Sequence, residues 1–248
     1  MQISDIGQRT KVLQSQLLLQ QAGIEHFSST KATENADEGV WMPKQVHGTT
    51  IVEVHETDCI VEGEHWPKST EIQADAVITS VDGEWIGVHT ADCVPVLLYD
   101  PKRRVVAAVH AGWRGTVKHI VGKTIREMKE KFGCAANDLY AVVGPSISPE
   151  RFEVGQEVAD EFVAAGRGEC VIGQYRKPHI DLWQSNVMDM LDEGMDIGKI
   201  DCTPLCTMQE ADLLYSARRE GIGTGRIVTA IRLTPAHGTP AEASLPRA

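Results

Sequence analysis

The sequence predicts a single α/β domain in which mixed β-sheets are covered by helices. Short runs of apolar, β-branched residues broken by turn residues are typical of buried strands, and longer stretches with helical spacing of apolar residues are typical of amphipathic helices. These elements alternate irregularly, and several strands follow one another through short turns, which favours a mixed sheet or a pair of sheets. A chain of 248 residues has the size of one domain, so we expect a single domain over residues 1–248.

The N-terminal half is expected to begin with a helix and to continue mainly as strands. In residues 6–22, Val12, Leu13 and their neighbours follow a helical stripe that Gly23 would end, and the polar stretch 27–39 predicts a loop. Asp82-Gly83 predicts a hairpin turn between two strands. Strands are predicted at the apolar runs 49–54, 75–80, 86–88, 94–99 and 105–109, with an inserted surface loop or lid over 55–73.

The C-terminal half is expected to be richer in helices. One helix begins at Thr116, directly after a Gly-rich segment, and is closed by Gly133. Another opens at Asp181 and ends near Gly194. The sequence also predicts strands over 139–143 and 226–233, a helix over 154–165, an ordered segment over 213–219, and a disordered tail over 235–248.

Composition excludes several classes of function. The formal net charge of −11 argues against a nucleic-acid partner, because polyanion binding needs concentrated Lys and Arg. No apolar run is long enough to cross a membrane, and the N-terminus lacks the layout of an export signal, so we expect a cytoplasmic protein with no membrane partner. The six cysteines are widely spread, which favours reduced thiols, and the pair Cys202 and Cys206 has no second pair to complete a zinc knuckle. No feature indicates an obligate protein partner.

Two histidines and one cysteine stand at the edges of predicted strands and could converge on a metal. Cys93 and His110 each adjoin an apolar run, and His47 comes just before another. Two imidazoles and one thiolate form a zinc ligand set that leaves a fourth position open for water or substrate. Asp92, beside Cys93, could orient a metal-bound imidazole, and the glycines after His110 permit close backbone approach. Each residue also has a structural interpretation, as a hydrogen-bonded His at a strand edge or a small buried Cys.

Six dispersed sequence blocks strongly resemble the YfiH-like family, also called the laccase-domain or polyphenol-oxidase family. They occur in the family's order over about residues 40–233. The chain departs from the family at its start, where Phe27-Ser-Ser-Thr-Lys lacks the helix that usually follows, so that Lys31 is expected near the position of a family Arg. The blocks are Gln45-Val-His-Gly, Ala74-Asp-Ala-Val-Ile-Thr, Thr90-Ala-Asp-Cys-Val-Pro-Val-Leu-Leu, His110-Ala-Gly-Trp-Arg-Gly, Gly144-Pro-Ser-Ile, and Ser216-Ala-Arg-Arg-Glu-Gly with Thr224-Gly-Arg.

The resemblance implies a layered sandwich fold and one zinc ion on His47, Cys93 and His110, with copper as the alternative metal. It also implies a purine nucleoside phosphorylase that acts on inosine, adenosine and methylthioadenosine, with accompanying adenosine deaminase activity. The expected partners are therefore a purine nucleoside and phosphate. The chemistry is compatible with this implication, because an open zinc position can activate water for deamination and a local basic pocket can hold phosphate.

Cys93, His110 and Arg114 are the candidate catalytic residues. Arg114 lies where a Gly-rich segment enters a predicted helix, whose N-terminal N–H groups could hold phosphate together with the guanidinium. Arg218 is a second candidate anion clamp, although adjacent surface arginines are usually just solvated. The candidate substrate-binding residues are Gln45, Arg114, Ser216 and Arg218.

Three other functions compete with this interpretation. Cys93 could be the nucleophile of a hydrolase, with His110 or His47 as its base, cleaving an amide such as one in a peptidoglycan precursor. A zinc-bound thiolate would be largely quenched as a nucleophile, so metal content separates the two enzymes. A copper phenol oxidase is disfavoured because nine scattered histidines include no His-x-His pair. A non-enzymatic interaction protein is disfavoured by a metal site with an open position.

Overall fold

The computed structural model describes residues 1–7, 9–55, 71–202 and 205–235. Within them the chain forms three layers, which are two six-stranded sheets and a cover of helices. The strands in chain order are β1 (Gln2–Ile6), β2 (Arg9–Gln14), β3 (Ile24–Ser28), β4 (Val40–Trp41), β5 (Ile51–Val54), β6 (Ala76–Thr79), β7 (Trp85–Thr90), β8 (Val94–Asp100), β9 (Val105–Ala111), β10 (Tyr140–Val143), β11 (Val171–Ile172), β12 (His179–Ile180), β13 (Ile200–Cys202) and β14 (Ile227–Leu233). The α-helices are α1 (Gln16–Leu19), α2 (Trp113–Val117), α3 (Ile120–Phe132), α4 (Gln156–Ala164), α5 (Leu182–Asp192) and α6 (Ala217–Glu220).

Both large sheets are mixed, as the sequence predicts. The first has the strand order β1-β2-β3-β14-β7-β4, and the second has the order β13-β10-β8-β9-β6-β5. β4 pairs with β7, β5 with β6, and β10 with β13 in parallel, whereas β8 and β9 form a long antiparallel pair. β11 and β12 form a separate two-stranded ribbon. The predicted α/β class is confirmed, with two stacked sheets.

The second sheet is the middle layer and is buried on both faces. In β8, Val96 and Leu98 pack with side chains of α3, α4 and α5, while Leu97 and Tyr99 pack with side chains of the first sheet. Strands covered on both faces read as continuous apolar runs, without the alternation of a half-exposed strand. This explains why β8 and β9 are the clearest strands in the sequence, and it makes them a rigid support for residues at their ends.

Two predicted helix boundaries are confirmed by their local geometry. α3 ends at Gly133, which has a φ of 67°, a left-handed conformation that glycine adopts without steric cost. α5 begins after Asp181, whose carboxylate accepts a hydrogen bond from the backbone N–H of Gln184 at 2.8 Å.

The prediction of a helix over 6–22 is wrong. The chain instead forms the end of β1, then β2, and only a four-residue helix, α1. Val12 and Leu13 are consecutive in β2 and pack into different hydrophobic clusters. A strand with buried side chains on both faces gives clustered apolar residues that imitate helical spacing. Phe27 likewise belongs to β3 rather than to the predicted loop 27–39.

Two predicted connections also differ from the structure. β6 and β7 do not form a hairpin through Asp82-Gly83, because they lie in different sheets and the chain crosses between layers there. The helix predicted from Thr116 is divided into α2 and α3 at His119, whose φ of 59° interrupts the helical path. Most of the predicted lid and of the predicted tail lies outside the described residues, at 56–70 and 236–248. None of the described helices combines the length and the hydropathy needed to cross a membrane.

The first sheet contains a buried histidine that must stay neutral. His26 in β3 is 3% exposed, and its Nε2 accepts a hydrogen bond from the backbone N–H of Ser15 at 2.8 Å. Burial lowers the pKa of His26 to about 4, and the carboxylate of Asp201 offsets this only in part. The unfolded chain therefore binds a proton on this side chain at a higher pH than the folded protein does.

We expect the free energy of unfolding to decrease by about 3 kcal/mol as the pH falls from about 7 to about 4 because of His26 alone. Stability is lost in this direction because the folded pKa lies below the unfolded one. Urea unfolding at a series of pH values measures the slope of the free energy of unfolding against pH. In His26→Gln, which keeps an acceptor for Ser15 but does not titrate, the slope should become shallower. An unchanged slope would contradict the assignment, whatever the stability of the variant at neutral pH.

Candidate metal centre and active-site cavity

Strand pairing brings Cys93 and His110 together. In the antiparallel pair β8–β9, Pro95 lies opposite His110, and Cys93 immediately precedes β8. The neighbouring strand β6 begins beside the same end of β9, and the backbone carbonyl of Asp75 accepts a hydrogen bond from the His110 N–H at 2.7 Å. His47 lies in the segment that leads into β5, on the far side of β6. Three sequence-distant residues therefore meet at one end of the central sheet.

The side chains of His47, Cys93 and His110 form a compact group. One potential ligand atom from each lies within 4.8 Å of the other two. The two imidazole rings have centroids 4.9 Å apart with an interplanar angle of 67°. His110 is buried, Cys93 is half-buried and His47 is exposed, so the group leads from the core to the solvent. The convergence that the sequence predicts is present.

Asp75 connects two of these residues. Its buried carboxylate accepts a hydrogen bond from Nδ1 of His110 at 2.8 Å and from the backbone N–H groups of His47 and Gly48 at 2.9 and 2.6 Å. Burial alone would raise the pKa of Asp75, but these hydrogen bonds outweigh it and the pKa is lowered. Because the carboxylate occupies Nδ1, the Nε2 atom of His110 is the nitrogen left for a metal.

Cys93 and His110 polarise each other. Burial opposes ionisation of the thiol, but the charge and hydrogen bond of His110, with a smaller contribution from His47, lower the pKa of Cys93 to about 6. Burial likewise opposes protonation of His110, but Cys93 and Asp75 raise its pKa to about 9. A thiolate facing a protonated imidazole is the arrangement in which a divalent cation can replace the proton.

Gly112 keeps the space between the three side chains open. A Cβ atom at this position would lie 2.9 Å from Nδ1 of His47 and 3.2 Å from Sγ of Cys93. In a tetrahedral zinc site, ligand atoms lie about 3.3 to 3.7 Å from one another, given the usual Zn–N and Zn–S distances. The donor types and the small residue beside them are compatible with a metal ion, and the ligand atoms lie within 4.8 Å of one another.

The three residues line a cavity of about 890 Å³. Ile222, which is 88% exposed, stands at its rim. One part of the wall is apolar and is made of Val40, Met42, Pro43, Ala91, Ala217 and Ile222. The polar and charged part is made of Asp37, Lys44, Gln45, His89, Thr90 and Arg226.

Among the predicted substrate-binding residues, Gln45 lines this cavity. Its side-chain amide forms two hydrogen bonds with the backbone of His89, accepting from the N–H and donating to the carbonyl, each at 2.8 Å. Ser216 is fully buried and caps α6, where its hydroxyl accepts a hydrogen bond from the N–H of Arg219 at 3.2 Å. Gln45 is thus held rigidly in the wall, whereas Ser216 shapes the backbone behind it.

The two predicted anion clamps lie outside the residues that line the cavity. Arg114 is exposed and stacks on the indole ring of Trp113, with its guanidinium carbon 4.3 Å from the ring centroid. The guanidinium of Arg218 donates to the backbone carbonyl of Glu153 at 2.9 Å and lies over the ring of Phe152. Neither side chain is directed to the group of His47, Cys93 and His110 in this conformation.

Asp92 was expected to orient a metal-bound imidazole, but the carboxylate bonded to His110 belongs to Asp75. Asp92, next to Cys93 in the sequence, accepts hydrogen bonds from the Thr207 hydroxyl at 2.6 Å and from the Arg218 N–H at 2.7 Å. The φ of Asp92 is 92°, and its carboxylate ties the Cys93 turn to the start of α6. Asp75 orients His110 instead, because the pairing of β6 with β9 brings these two residues together.

Sequence reasoning missed two residues of this site, Asp75 and Arg226, whereas it did predict close backbone approach at the glycines after His110. Asp75 and Arg226 both lie in the sequence blocks on which the family resemblance rests, so the signal was present. The role of each residue depends on contacts with residues distant in the sequence, and the sequence alone does not show these contacts. Within the described residues, His47, Cys93 and His110 form the one group of three or more potential ligands, and Cys206 instead accepts a hydrogen bond from the Ser148 N–H.

Comparisons with known proteins agree with this architecture. The family model described as multi-copper polyphenol oxidoreductase laccase matches residues 20–234. The chain is 40% identical over 193 residues to a purine nucleoside phosphorylase from Bacteroides thetaiotaomicron, with 73% of this chain and 72% of that protein aligned. It is 36% identical to adenosine deaminase RL5 from an unknown prokaryotic organism, with 77% of this chain and 73% of that protein aligned.

The fold is similar to the crystal structure of YlmD from Geobacillus stearothermophilus. The TM-score is 0.78 at 23% sequence identity, and the match covers 89% of this chain and 94% of that one. This likeness concerns the fold, whereas the family model and the two relatives concern the sequence itself. By its sequence, the chain belongs to the multi-copper polyphenol oxidoreductase laccase family, the YfiH-like family that its sequence blocks resemble.

Proposed function

We propose that the chain is a zinc-dependent purine nucleoside phosphorylase that cleaves inosine, adenosine and methylthioadenosine with phosphate and also deaminates adenosine. The observation that carries this proposal is the group of His47, Cys93 and His110 in the lining of a cavity of about 890 Å³ that also has apolar lining residues. Such a cavity is within the usual size range for small-molecule sites. The names of the relatives, a purine nucleoside phosphorylase and an adenosine deaminase, supply the substrate class.

Zinc is the metal that the ligands support best. Two imidazoles and a thiolate are a common zinc set with an open position, and the hydrogen bond from His110 to Asp75 supplies the usual orientation of a ligating imidazole. Zinc held there would act as a Lewis acid at the open position and lower the pKa of water. A multicopper oxidase requires several metal sites, and the described residues offer one such group. Copper in this single site remains the alternative metal.

The cavity wall supports binding of a flat, apolar ring next to the ligands. Val40, Met42 and Ile222 present side chains that can pack against a purine, and Gln45 is held in place by the His89 backbone. A base placed there has its ring edge near His47 and Cys93 and its ribose toward the charged part of the wall. One binding mode can then serve both reactions, since deamination changes the base and phosphorolysis cleaves its bond to the ribose.

In phosphorolysis, an oxygen of hydrogen phosphate bonds to C1′ of the ribose while the bond from C1′ to the base nitrogen breaks. The electron pair of that bond goes to the base, which takes up the proton of hydrogen phosphate and leaves. In deamination, water adds at the amino-bearing carbon and ammonia leaves.

We also propose that the enzyme is cytoplasmic, which is supported by the free state of the five described cysteines.

A Cys-dependent amide hydrolase is the second candidate. It is supported by the position of Cys93 between two imidazoles, with Asp75 behind His110, because a nucleophile, a base and an orienting carboxylate have this order in cysteine hydrolases. In such an enzyme the thiolate must be free to attack, whereas zinc would hold it as a ligand. The two candidates therefore differ in metal content and in sensitivity to thiol alkylation.

Metal content and reaction products test the proposed activity. The purified protein should contain about one zinc ion per chain, and it should convert inosine to hypoxanthine and ribose 1-phosphate only when phosphate is present. Adenosine should yield inosine without phosphate. Chromatography of the products and elemental analysis of the protein measure both. No turnover of either nucleoside, combined with amide hydrolysis that thiol alkylation stops, would replace this proposal by the second candidate.

The space beside the candidate ligands depends on Gly112, and a larger residue there should weaken zinc binding. In Gly112→Ala the added methyl group would collide with Nδ1 of His47, so zinc affinity should fall at least about tenfold with little change in the unfolding temperature. Competition with a chromophoric chelator measures the affinity. Gly173→Ala, where a Cβ meets nothing within 4 Å, is the matched control and should bind zinc as the wild type does. Equal affinities in the two variants would show that Gly112 does not limit the site.

Zinc affinity should depend on Asp75 and not on Asp92. Asp75→Asn should weaken zinc binding by about 10- to 100-fold, because the amide is a poorer partner for Nδ1 of His110 and for the backbone N–H groups of His47 and Gly48. Asp92→Asn keeps the size of a side chain that contacts Thr207 and the Arg218 N–H, so it should retain zinc. The reverse order of the two affinities would assign the orienting role to Asp92.

A further inference from the structure

A second, smaller cavity adjoins the large one. It has a volume of about 290 Å³ and shares Asp37, His89 and Arg226 with the large cavity. The shared residues form the boundary, so a ligand that spans it would contact both compartments. The rest of the small cavity is mainly polar: it is lined by Ser29, Thr30, Thr33, Asn35 and Tyr215, together with the apolar Ala36 and Val228. This composition differs from the apolar wall beside the metal ligands, and it is suited to a hydrated or charged group rather than to a purine ring.

Arg226 is the cationic side chain, among the described residues, that lines both cavities. Lys44 lines only the large one. Lys31 is occupied by an ion pair with Glu220 at 2.7 Å and by the backbone carbonyl of Ala211 at 2.8 Å. Position therefore favours Arg226 for holding an anion between the two compartments.

The guanidinium of Arg226 is held in a fixed orientation by its own loop. Nη1 donates to the carbonyls of Thr224 and Gly225, and Nη2 donates to the carbonyl of Ile222 at 2.8 Å. Within the described part of the chain, these bonds leave Nε–H without a protein acceptor. In a guanidinium, Nε–H and one N–H of Nη2 lie in parallel on one edge, and such an edge can bind two oxygens of a phosphate.

We propose that Arg226 and the small cavity form the phosphate subsite of the enzyme. This inference rests on the phosphorylase function proposed above. The base lies beside the metal ligands, the ribose lies at the boundary where the Asp37 carboxylate can accept hydrogen bonds from its hydroxyls, and phosphate lies on the Nε–Nη2 edge of Arg226. An oxygen of hydrogen phosphate then bonds to C1′ as the bond from C1′ to the base breaks, and the phosphate proton leaves with the base. Deamination of the same base does not use this subsite.

The test measures the two reactions of each variant separately. Inosine cleavage is followed as the phosphate concentration is varied, and adenosine deamination is followed without phosphate. In Arg226→Gln the KM for phosphate should rise about tenfold or more, and kcat/KM for phosphorolysis should fall about tenfold further than kcat/KM for deamination. Arg226→Lys retains the charge without the two-pronged edge, so its KM for phosphate should be intermediate. Arg176→Gln, at an exposed arginine that lines neither cavity, is the matched control.

Several outcomes would overturn the inference. If Arg226 only fastens the loop of Ile222, both Arg226 variants should impair deamination and phosphorolysis to the same extent. If Arg114→Gln raises the KM for phosphate and Arg226→Gln does not, the anion binds at the start of α2 instead. If the wild type cleaves inosine with phosphate and Arg226→Gln does so with an unchanged KM, the inference alone fails. If the wild type shows no phosphate-dependent cleavage, the inference and the proposed function fail together.

Discussion

The carboxylate of Asp75 is the contact on which the candidate site depends. It is fully buried, and it is bonded both to the ring of His110 and to the backbone of the segment that carries His47. A buried carboxylate is tolerated only when its oxygens receive hydrogen bonds, so the surrounding chain must adopt this arrangement for the protein to fold. His47 has a φ of 58°, an uncommon conformation that the bonds from Asp75 help to maintain. Folding and ligand placement therefore rest on the same hydrogen bonds.

The layered fold explains where this group can form. The central sheet is covered by helices on one side and by the first sheet on the other, so β8 and β9 have little freedom to move. Cys93 and His110 lie at the same end of these strands, where β7 and the segment 40–48 leave an opening to solvent. Rigid strands thus hold Cys93 and His110, whereas His47 and much of the cavity wall come from loops. This division is common in enzymes, because loops can vary while the support stays fixed.

Much of this could be predicted from the sequence, and the failures have physical causes. β8 and β9 were predictable because strands buried on both faces are apolar throughout. The grouping of His47, Cys93 and His110 was predictable because all three stand at the edges of predicted strands. The helix expected over 6–22 is wrong because β2 buries consecutive residues on opposite faces. The hairpin at Asp82-Gly83 is wrong because strand pairing is decided by contacts far apart in the chain. For the same reason, Asp92 beside Cys93 is not the residue that orients His110, and a neighbour in sequence was a poor guide to a neighbour in space.

Ile222 gives the cavity an unusual entrance. An isoleucine with 88% of its surface exposed is in unfavourable contact with water, and it stands on a loop whose shape is set by Arg226. A flat aromatic ligand that slides beneath this side chain would release ordered water from both surfaces. The thermodynamic consequence is that association should be accompanied by a drop in heat capacity and should gain strength from the hydrophobic effect before any metal or anion contact is made. Ile222 would thus contribute to the free energy of ligand binding at the entrance of the cavity.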